Sequence, residues 1–242
     1  MQNVLRELNT CRPLKWIKLN SGSYYSYVKV SKPDEFDYLL CSTLVQCRIE
    51  QLSSSPNYCR VFVTNRKMLP LDFRELLGPD DELFPSKFKE YVFKVFDLCL
   101  KEMSNRRLVK ISTGSTCPAY TVEYKYGKQN KYIYDIDWIP CLEVQDCPDS
   151  YMEWKTKKLT DEEKSDCKIL VVPKNLAAND ENFELWRLSY STFEKKIIRD
   201  KCKPDDRRVI RVLKNILTCE NDHKIKRSSI FLHFIYQPFA EY

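Results

Sequence analysis

Residues 21–40 read Ser21-Gly-Ser-Tyr-Tyr-Ser-Tyr-Val-Lys-Val30-Ser-Lys-Pro-Asp-Glu35-Phe-Asp-Tyr-Leu-Leu40. A turn of small residues at Gly22-Ser23 is followed by a proline-containing connection and then by a run in which acids alternate with apolar residues. Because successive side chains of a strand point to opposite faces, the alternation predicts that Glu35 and Asp37 share one face and that their apolar neighbours point into a core.

The two acids and the turn have a chemical interpretation and a purely structural one. Adjacent carboxylates repel each other, and a divalent cation between them relieves the repulsion. Gly22 leaves room for close approach and its neighbourhood offers backbone N–H groups, so Gly22-Ser23 is a candidate phosphate cradle. Acids alternating with apolar residues are also typical of any half-exposed strand, and taken alone the pattern does not separate the two interpretations.

Length and composition limit the class of protein. The chain has 242 residues, 43% of them hydrophobic, which is enough for one large domain or two lobes with a substantial core. Its 11 cysteines form no Cys-x-x-Cys pair, which argues against a disulfide framework or zinc ribbon and favours a reducing compartment. With no apolar run of about 18 residues and no signal-peptide layout at the start, the sequence predicts a cytoplasmic protein without a membrane span.

Periodicity predicts strands first and helices later in the chain. Strand patterns occupy residues 38–46, 59–64, 108–112, 120–126, 131–139 and 167–174, and the fourth and fifth are predicted to form a hairpin. Between the second and third strands, a helix capped by Ser86 is expected. Its predicted buried face consists of Phe88, Val92, Val95, Phe96, Cys99 and Met103.

Two further helices are predicted near the end. Ser191 and Glu194 have capping-box spacing and would open a helix through Ile198. Asp205 or Asp206 would cap the next helix. Its predicted buried stripe consists of Val209, Val212, Leu213, Ile216 and Leu217. The change of pattern places a boundary at residues 176–181, between a core at 1–178 and a helical lobe at 179–242.

The second arm of the predicted hairpin carries two more acids. Asp135 and Asp137 share one face of that strand by alternation. If the strand lies beside the one that carries Glu35 and Asp37, one of these acids could reach the same cation. The residues alone leave open which acid it is.

Several motifs together resemble one family. Gly22-Ser-Tyr-Tyr25 followed by Val28-Lys-Val-Ser-Lys-Pro-Asp-Glu-Phe-Asp37 is similar to the catalytic loop and first two metal ligands of cyclic GMP-AMP synthase and its animal relatives, the synthase-like receptors. Asp137-Trp-Ile-Pro140 resembles the stretch that supplies the third ligand, and Trp186-Arg-Leu-Ser-Tyr-Ser191 resembles the family's Trp-Arg-Leu-Ser-Phe-Ser signature. The resemblance implies an α+β, bilobal nucleotidyltransferase fold with a mixed β-sheet core and a partial helical lobe.

The resemblance also implies roles for individual residues. Glu35, Asp37 and Asp137 would be the catalytic, metal-binding acids, holding Mg²⁺ (or Mn²⁺). The implied nucleotide-binding residues are Gly22, Ser23, Lys174, Arg187, Ser189, Ser191, Glu194 and Lys214. A solvated charge is the alternative for the two lysines, and a helix cap is the alternative for Ser191.

The implied reaction is nucleotidyl transfer at an α-phosphate. Three carboxylates can hold two cations on a nucleoside triphosphate, one activating the attacking ribose hydroxyl and the other neutralising the leaving pyrophosphate. The resemblance implies ATP and GTP as substrates and a cyclic dinucleotide as the product, made in innate immune sensing when nucleic acid binds. A catalytically inactive binding or scaffold protein is the alternative, and an oligoadenylate-type synthase is disfavoured by the signature that begins at Trp186.

Positive charge concentrates in one late segment. Residues 195–214 hold nine bases and three acids, a net +6 that equals the charge of the whole chain. The implied nucleic-acid-binding residues are Lys195, Lys196, Arg199, Lys201, Lys203, Arg207, Arg208 and Arg211. Such a surface neutralises phosphates without reading bases, and duplex RNA is recognised largely by shape. A solvated helical face is the alternative.

The sequence departs from the family in two places. Where vertebrate synthases carry a zinc thumb of one His and three Cys, this chain has only Cys202, so no zinc is expected. The missing thumb is typical of insect receptors for double-stranded RNA, which favours RNA over DNA, with a homodimer on the duplex. Ile230 stands where relatives have a base-stacking tyrosine, and the resemblance suggests truncation at both ends.

Overall fold

A computed structural model describes residues 2–11, 14–27, 29, 35–52, 55–102, 108–110, 118–126, 132–145, 159–173 and 184–219. These segments contain helices together with a large, mostly antiparallel sheet, which confirms the α+β class. Lys174, the predicted boundary at residues 176–181 and Ile230 lie outside the described residues. None of the helices in the described segments is long and apolar enough to cross a membrane.

The helices are mostly short. They are α1 Gln2–Cys11, α2 Gly22–Tyr25, α3 Leu71–Arg74, α4 Pro85–Glu102, α5 Asp161–Ser165, α6 Ser191–Lys196 and α7 Pro204–Cys219. Short 3₁₀ turns occupy Arg66–Met68 and Pro79–Asp81, and α6 continues as a π-helical turn, Ile197–Lys201.

The described strands form one eight-stranded mixed sheet. They are β1 Trp16–Ser21, β2 Glu35–Leu52, β3 Ser55–Val63, β4 Leu108–Lys110, β5 Tyr120–Tyr126, β6 Tyr132–Val144, β7 Leu170–Val172 and β8 Trp186–Ser189. Their order is β1-β2-β3-β8-β7-β6-β5-β4, with an additional pairing of β2 with β6. Among the described strands only β2 and β6 run parallel to each other, and the predicted hairpin of β5 and β6 is confirmed.

The long strand β2 pairs with three strands, β1, β3 and β6, and at Cys47 the strands β3 and β6 lie on its two opposite edges. Its first half pairs with β6 and its second half pairs with β3, with a shift in register between Ser42 and Cys47. Since β3, β8, β7 and β6 are themselves paired in sequence, strands β2, β3, β8, β7 and β6 form a closed circuit. Closure of this kind gives each strand of the circuit a neighbour on both sides and holds β2 along both of its edges, while β1 and β4 stand at the ends of the described sheet order.

Helix α4 packs the main core against the sheet. The predicted apolar face is confirmed for Phe88, Val92, Val95, Phe96 and Cys99, and Met103 lies outside the described residues. The predicted cap is wrong, because the helix begins at Pro85 and Ser86 lies inside it. The backbone N–H and hydroxyl of Ser86 bond to the Glu184 carboxylate instead. Phe88 meets the indole of Trp186, whose Nε1–H donates to the Leu83 carbonyl at 2.6 Å.

The sequence around residue 190 behaves differently from the prediction. Residues 186–189 form strand β8, paired with both β3 and β7, so the sheet includes residues beyond the predicted core boundary at 178. The division into two lobes remains a prediction. The Ser191 capping box is wrong, because buried Tyr190 precedes the helix and Ser191 is already helical. A capping box does occur at Thr160 and Glu163, at the start of α5.

Helix α7 also differs from its predicted pattern. It begins at Pro204, and Asp206 accepts from the Lys203 backbone N–H at 2.8 Å, so this acid does support the helix start. Val209 and Val212 are 58% and 54% exposed, whereas Ile210 is buried, so the predicted stripe is wrong at both valines. Turning the helix about its axis by one residue accounts for the difference, since neighbours in a helix lie about 100° apart.

Candidate active site

The parallel pairing of β2 with β6 assembles three acids. Asp37 in β2 lies directly beside Asp137 in β6. Glu35 comes two residues before Asp37 in β2, so its side chain lies on the same face of the sheet. Glu35, Asp37 and Asp137 each offer a carboxylate oxygen within 4.8 Å of the others. Asp135, another acid on this face of β6, is exposed. It pairs with Glu35 in the strand register but does not belong to the cluster of three carboxylates. The prediction that these three acids converge agrees with the geometry, and their roles remain predictions.

The small-residue turn lies directly against this cluster. Ser21, the last residue of β1, pairs with Asp37, and the chain then turns into α2 at Gly22. Gly22 has φ 76°, and a Cβ atom there would lie 1.8 Å from Asp37 Oδ2. Ser26 Oγ donates to the Gly22 carbonyl at 3.2 Å and closes the turn. Glycine is therefore required here by its backbone conformation and by its closeness to an acid.

Asp137 is held by the neighbouring strand of the hairpin. Thr121 lies opposite Asp137, and its hydroxyl donates to Asp137 Oδ1 at 2.5 Å. The pKa of Asp137 is raised, chiefly by burial and also by the charge of Glu35, while the bond from Thr121 opposes the rise. Sequence reasoning missed Thr121. The predicted turn at residues 127–130 would set Tyr120 opposite Asp137, whereas the observed register is shifted by one residue and sets Thr121 there.

Glu35 has a basic partner within the same segment. Lys29 Nζ donates to Glu35 Oε2 at 3.0 Å, and the Lys29 side chain is only 16% exposed. An ammonium group beside the most exposed acid offsets part of the repulsion among the three carboxylates. Lys29 was not predicted as a site residue.

The donor set fits a hard divalent cation. Three carboxylate oxygens close together on one sheet face are the ligands that Mg²⁺ and Mn²⁺ prefer. The charge of Glu35 adds to the effect of burial in raising the pKa of Asp137, so the two acids do interact. Glu35, Asp37 and Asp137 are thus the residues that would hold such a cation.

Two of the predicted nucleotide-binding residues, Arg187 and Ser189, lie on the same sheet face as the acids. In β6, alternation places Glu143 on the face of Asp137, and Glu143 pairs with Leu170. Leu170 and Val172 pair with Ser189 and Arg187 in turn. An apolar floor of Leu39, Cys41, Cys141, Leu170 and Val172 lies on this face.

The remaining predicted nucleotide-binding residues are less closely defined. Ser191 accepts from Ser189 Oγ at 3.3 Å and lies with Glu194 in the first turn of α6. The backbone of Ser23 belongs to α2 and that of Lys214 to α7, but the side chains of both lie outside the described part of the structure. Lys174 lies outside it altogether.

The predicted nucleic-acid-binding bases divide into groups by their contacts. Several pair with acids: Lys196 with Asp166 and Asp200, Lys201 with Glu163 at 2.7 Å, and Arg208 with Asp205 at 3.2 Å. Arg207 donates to the Arg199 carbonyl at 2.9 Å. Lys203 and Arg211 are exposed. Lys195 and Arg199 contact the region of the Gly22 turn.

Comparison with known proteins bears on this arrangement. A family model described as the Mab-21 protein nucleotidyltransferase domain matches residues 24–200, which include all three acids and strand β8.

Three of the curated relatives share one name. Proteins named cyclic GMP-AMP synthase-like receptor are 28% identical in Magallana gigas, 25% in Trichogramma pretiosum and 25% in Aethina tumida. The matches cover 84%, 88% and 89% of this chain but 36%, 47% and 57% of those proteins. The chain thus spans roughly a third to three fifths of their length. The resemblance found in the sequence is confirmed, and this chain belongs to the Mab-21 nucleotidyltransferase family.

Proposed function

We propose that this chain is the nucleotidyltransferase core of a nucleic-acid-activated enzyme that joins ATP and GTP into a cyclic dinucleotide for innate immune sensing. The single observation that carries the proposal is the convergence of Glu35, Asp37 and Asp137 beside the Gly22 turn. The names of the relatives support the cyclic dinucleotide as product.

The Gly22 turn, the three acids and Thr121 have separate roles in the proposed reaction. The turn at Gly22 approaches the acids without a side chain, so a triphosphate bound at its N–H groups lies next to the carboxylates. The carboxylates of Glu35, Asp37 and Asp137 would hold Mg²⁺ or Mn²⁺, which would neutralise charge on the phosphates and activate the attacking hydroxyl. Thr121 fixes the carboxylate of Asp137 for this task.

Substrate recognition is assigned to residues further along the same face. Arg187 provides a planar cation suited to phosphate or base edges, and Ser189, Ser191 and Glu194 provide polar groups at the start of α6. Lys174 and Lys214 are proposed to approach the phosphates, as the family resemblance implies. These assignments follow the register and the resemblance together.

The activator proposed is double-stranded RNA, bound by the basic segment. Lys203 and Arg211 are exposed there, next to paired bases such as Arg208 whose acids a phosphate could displace. Duplex RNA offers closely spaced phosphates without requiring base readout, which suits such a surface. Two chains on one duplex and a cytoplasmic location belong to the same proposal.

A nucleotide assay tests the proposal. The purified chain is incubated with Mg²⁺ or Mn²⁺, all four labelled triphosphates, and duplex RNA, duplex DNA or no nucleic acid. We expect a phosphatase-resistant product with duplex RNA, lost in Asp37→Asn and retained in Asp135→Asn, since Asp135 lies outside the cluster. A phosphatase-sensitive linear product would instead indicate an oligoadenylate-type reaction.

Metal binding separates an inactive relative from a wrong site assignment. If the folded chain binds Mn²⁺ through Asp37 but makes no product, the acids form a metal site and this chain by itself does not catalyse the reaction. If Asp37→Asn and Asp135→Asn bind Mn²⁺ as tightly as the unchanged chain does, the site assignment itself is wrong.

A further inference from the structure

One helix contacts both flanks of the Gly22 turn. Lys195 and Arg199 lie four residues apart, on α6 and its π-helical continuation, and therefore on one face. Lys195 Nζ donates to the Asn20 carbonyl at 3.2 Å, two residues before Gly22. The Arg199 guanidinium lies 5.6 Å from the ring centroid of Tyr27, just after the turn.

The two flanks are places where the backbone needs support. Strand β1 stands at one end of the described sheet order, so a carbonyl of this strand gains from a donor outside the sheet. Tyr27 has φ 59°, a left-handed conformation that is uncommon for an aromatic residue and persists only where neighbours hold it. The residue is 55% exposed, and the Arg199 guanidinium lies over part of its ring.

The setting of Lys195 distinguishes it from the other bases of the segment. Burial lowers the pKa of Lys195, and the charge of Arg199 adds to the effect. Lys201 and Arg208 are instead paired with nearby acids. Arg199 has both kinds of contact, since its Nε lies 3.8 Å from the carboxylate of its neighbour Asp200 and its guanidinium lies over the Tyr27 ring. Lys195 and Arg199 are thus turned toward β1 and α2.

We infer that Lys195 and Arg199 are positioning residues for the nucleotide-binding turn, acting through Asn20 and Tyr27. This inference rests on the proposed function of the turn and reassigns two of the eight bases predicted to bind nucleic acid. The Lys195 ammonium holds the end of β1 through the Asn20 carbonyl, and the Arg199 guanidinium holds the end of the turn through the Tyr27 ring. The Gly22 N–H groups are thereby held beside Asp37 before any duplex is bound.

Hydrogen exchange of the backbone tests the positioning without any need for catalysis. In Lys195→Met or Arg199→Met, amides of residues 20–27 should exchange about three- to tenfold faster, because a charge-assisted contact that closes the turn is lost. Lys195→Arg and Arg199→Lys keep the charge and should restore most of the protection. Lys203→Met and Arg211→Met are matched controls, and they should leave exchange at residues 20–27 unchanged.

Protection in the paired segments of β2 and β6 serves as the control for folding in every variant. If exchange at residues 20–27 is the same in Lys195→Met, Arg199→Met and the two controls, the inference is overturned. An increase throughout the sheet in Lys195→Met, repeated in Lys195→Arg, would also overturn it, because the effect would then be general destabilisation.

Nucleotide binding gives a second readout. With Mg²⁺ and no nucleic acid, the Kd for a non-hydrolysable ATP analogue should rise about three- to tenfold in Lys195→Met, with a matching rise in KM rather than a fall in kcat. If the unchanged chain binds no analogue, the proposed function fails, while the exchange result still decides the positioning. If the analogue binds equally well to the chain and to both Met variants, these bases do not position the site.

Discussion

Gly22 and Asp37 lie so close together that no side chain fits between them. A Cβ on Gly22, at φ 76°, would lie 1.8 Å from Asp37 Oδ2. The turn and the acid are thus a single unit of structure, joined by the pairing of Ser21 with Asp37.

Gly22→Ala should therefore damage the acid cluster as well as the turn. The left-handed backbone alone costs about 1–2 kcal/mol for a residue with a Cβ, and the methyl group must also displace the Asp37 carboxylate. We expect a lower melting temperature and a loss of Mn²⁺ binding, measured by calorimetry. Gly78→Ala is the control, since its Cβ meets the ring of Phe84 far from the acids in sequence. It should lower stability and leave Mn²⁺ binding intact. Normal Mn²⁺ binding by Gly22→Ala would contradict the close contact.

Removing the hydroxyl of Thr121 should weaken metal binding without removing a ligand. Thr121→Val keeps the shape and the β-branched strand residue but loses the bond to Asp137 Oδ1. Loss of a partner that orients a ligand costs about tenfold in metal affinity. Thr121→Ser keeps the hydroxyl and should bind Mn²⁺ nearly as well as the unchanged chain. Equal affinity in the Val and Ser variants would show that Thr121 does not orient Asp137.

The raised pKa of Asp137 predicts a dependence of stability on pH in the metal-free protein. The folded-state pKa lies above the ordinary aspartate value because of burial and Glu35. The neutral acid therefore contributes stability that is fully present below the ordinary pKa and lost as pH rises through the raised one. Asp137→Asn, which stays neutral, should gain stability relative to the unchanged chain as pH rises through this window.

Urea unfolding at a series of pH values from about 3.5 to 7 measures this difference. Mn²⁺ affinity should rise across the same window, because the ligand must lose its proton. The hydrogen bond from Thr121 lowers the pKa of Asp137, and Thr121→Val removes it. In this variant both pH-dependent changes should therefore occur at higher pH. A stability difference between Asp137→Asn and the unchanged chain that stays constant with pH would contradict the raised pKa.

Two buried tryptophans offer a matched comparison of hydrogen bonding in the core. Trp16 and Trp186 both pack against Phe88 and are almost fully buried. The indole N–H of Trp186 donates to the Leu83 carbonyl, whereas that of Trp16 has no acceptor among the described residues. Trp186→Phe should cost about 1–2 kcal/mol more than Trp16→Phe, because it leaves a buried carbonyl unpaired. Urea unfolding of both variants checks the order, and an equal or reversed cost would contradict it.

The sequence predicted the parts of this molecule that follow short-range rules. Alternation placed Glu35 and Asp37 on one face, and helical spacing found the buried face of α4 around Phe88 and Phe96. The same alternation left Asp135 and Asp137 equivalent. Only the register of β2 against β6, a contact between distant segments, sets Asp137 beside Asp37.

The errors lie where packing overrides local pattern. Ser191 has the spacing of a cap, but Tyr190 is buried at the end of β8 and the helix starts from it. Val209 and Val212 fit an apolar stripe, yet Ile210 is the residue that meets the core. Strand β8 was missed because four residues are too few for alternation to show, and its neighbours on both sides determine it.

The circuit of strands around β2 also bears on how the chain acquires its site. Asp37 and Asp137 are separated by 100 residues of sequence, and β8 must join β3 to β7 before the circuit closes. Contacts of such long range carry a large entropic cost early in folding and form slowly. A partly folded chain can contain α4 and the hairpin of β5 and β6 and still lack three converging acids. A cation bound through these acids would therefore report completed folding, and it would stabilise the finished chain over its intermediates.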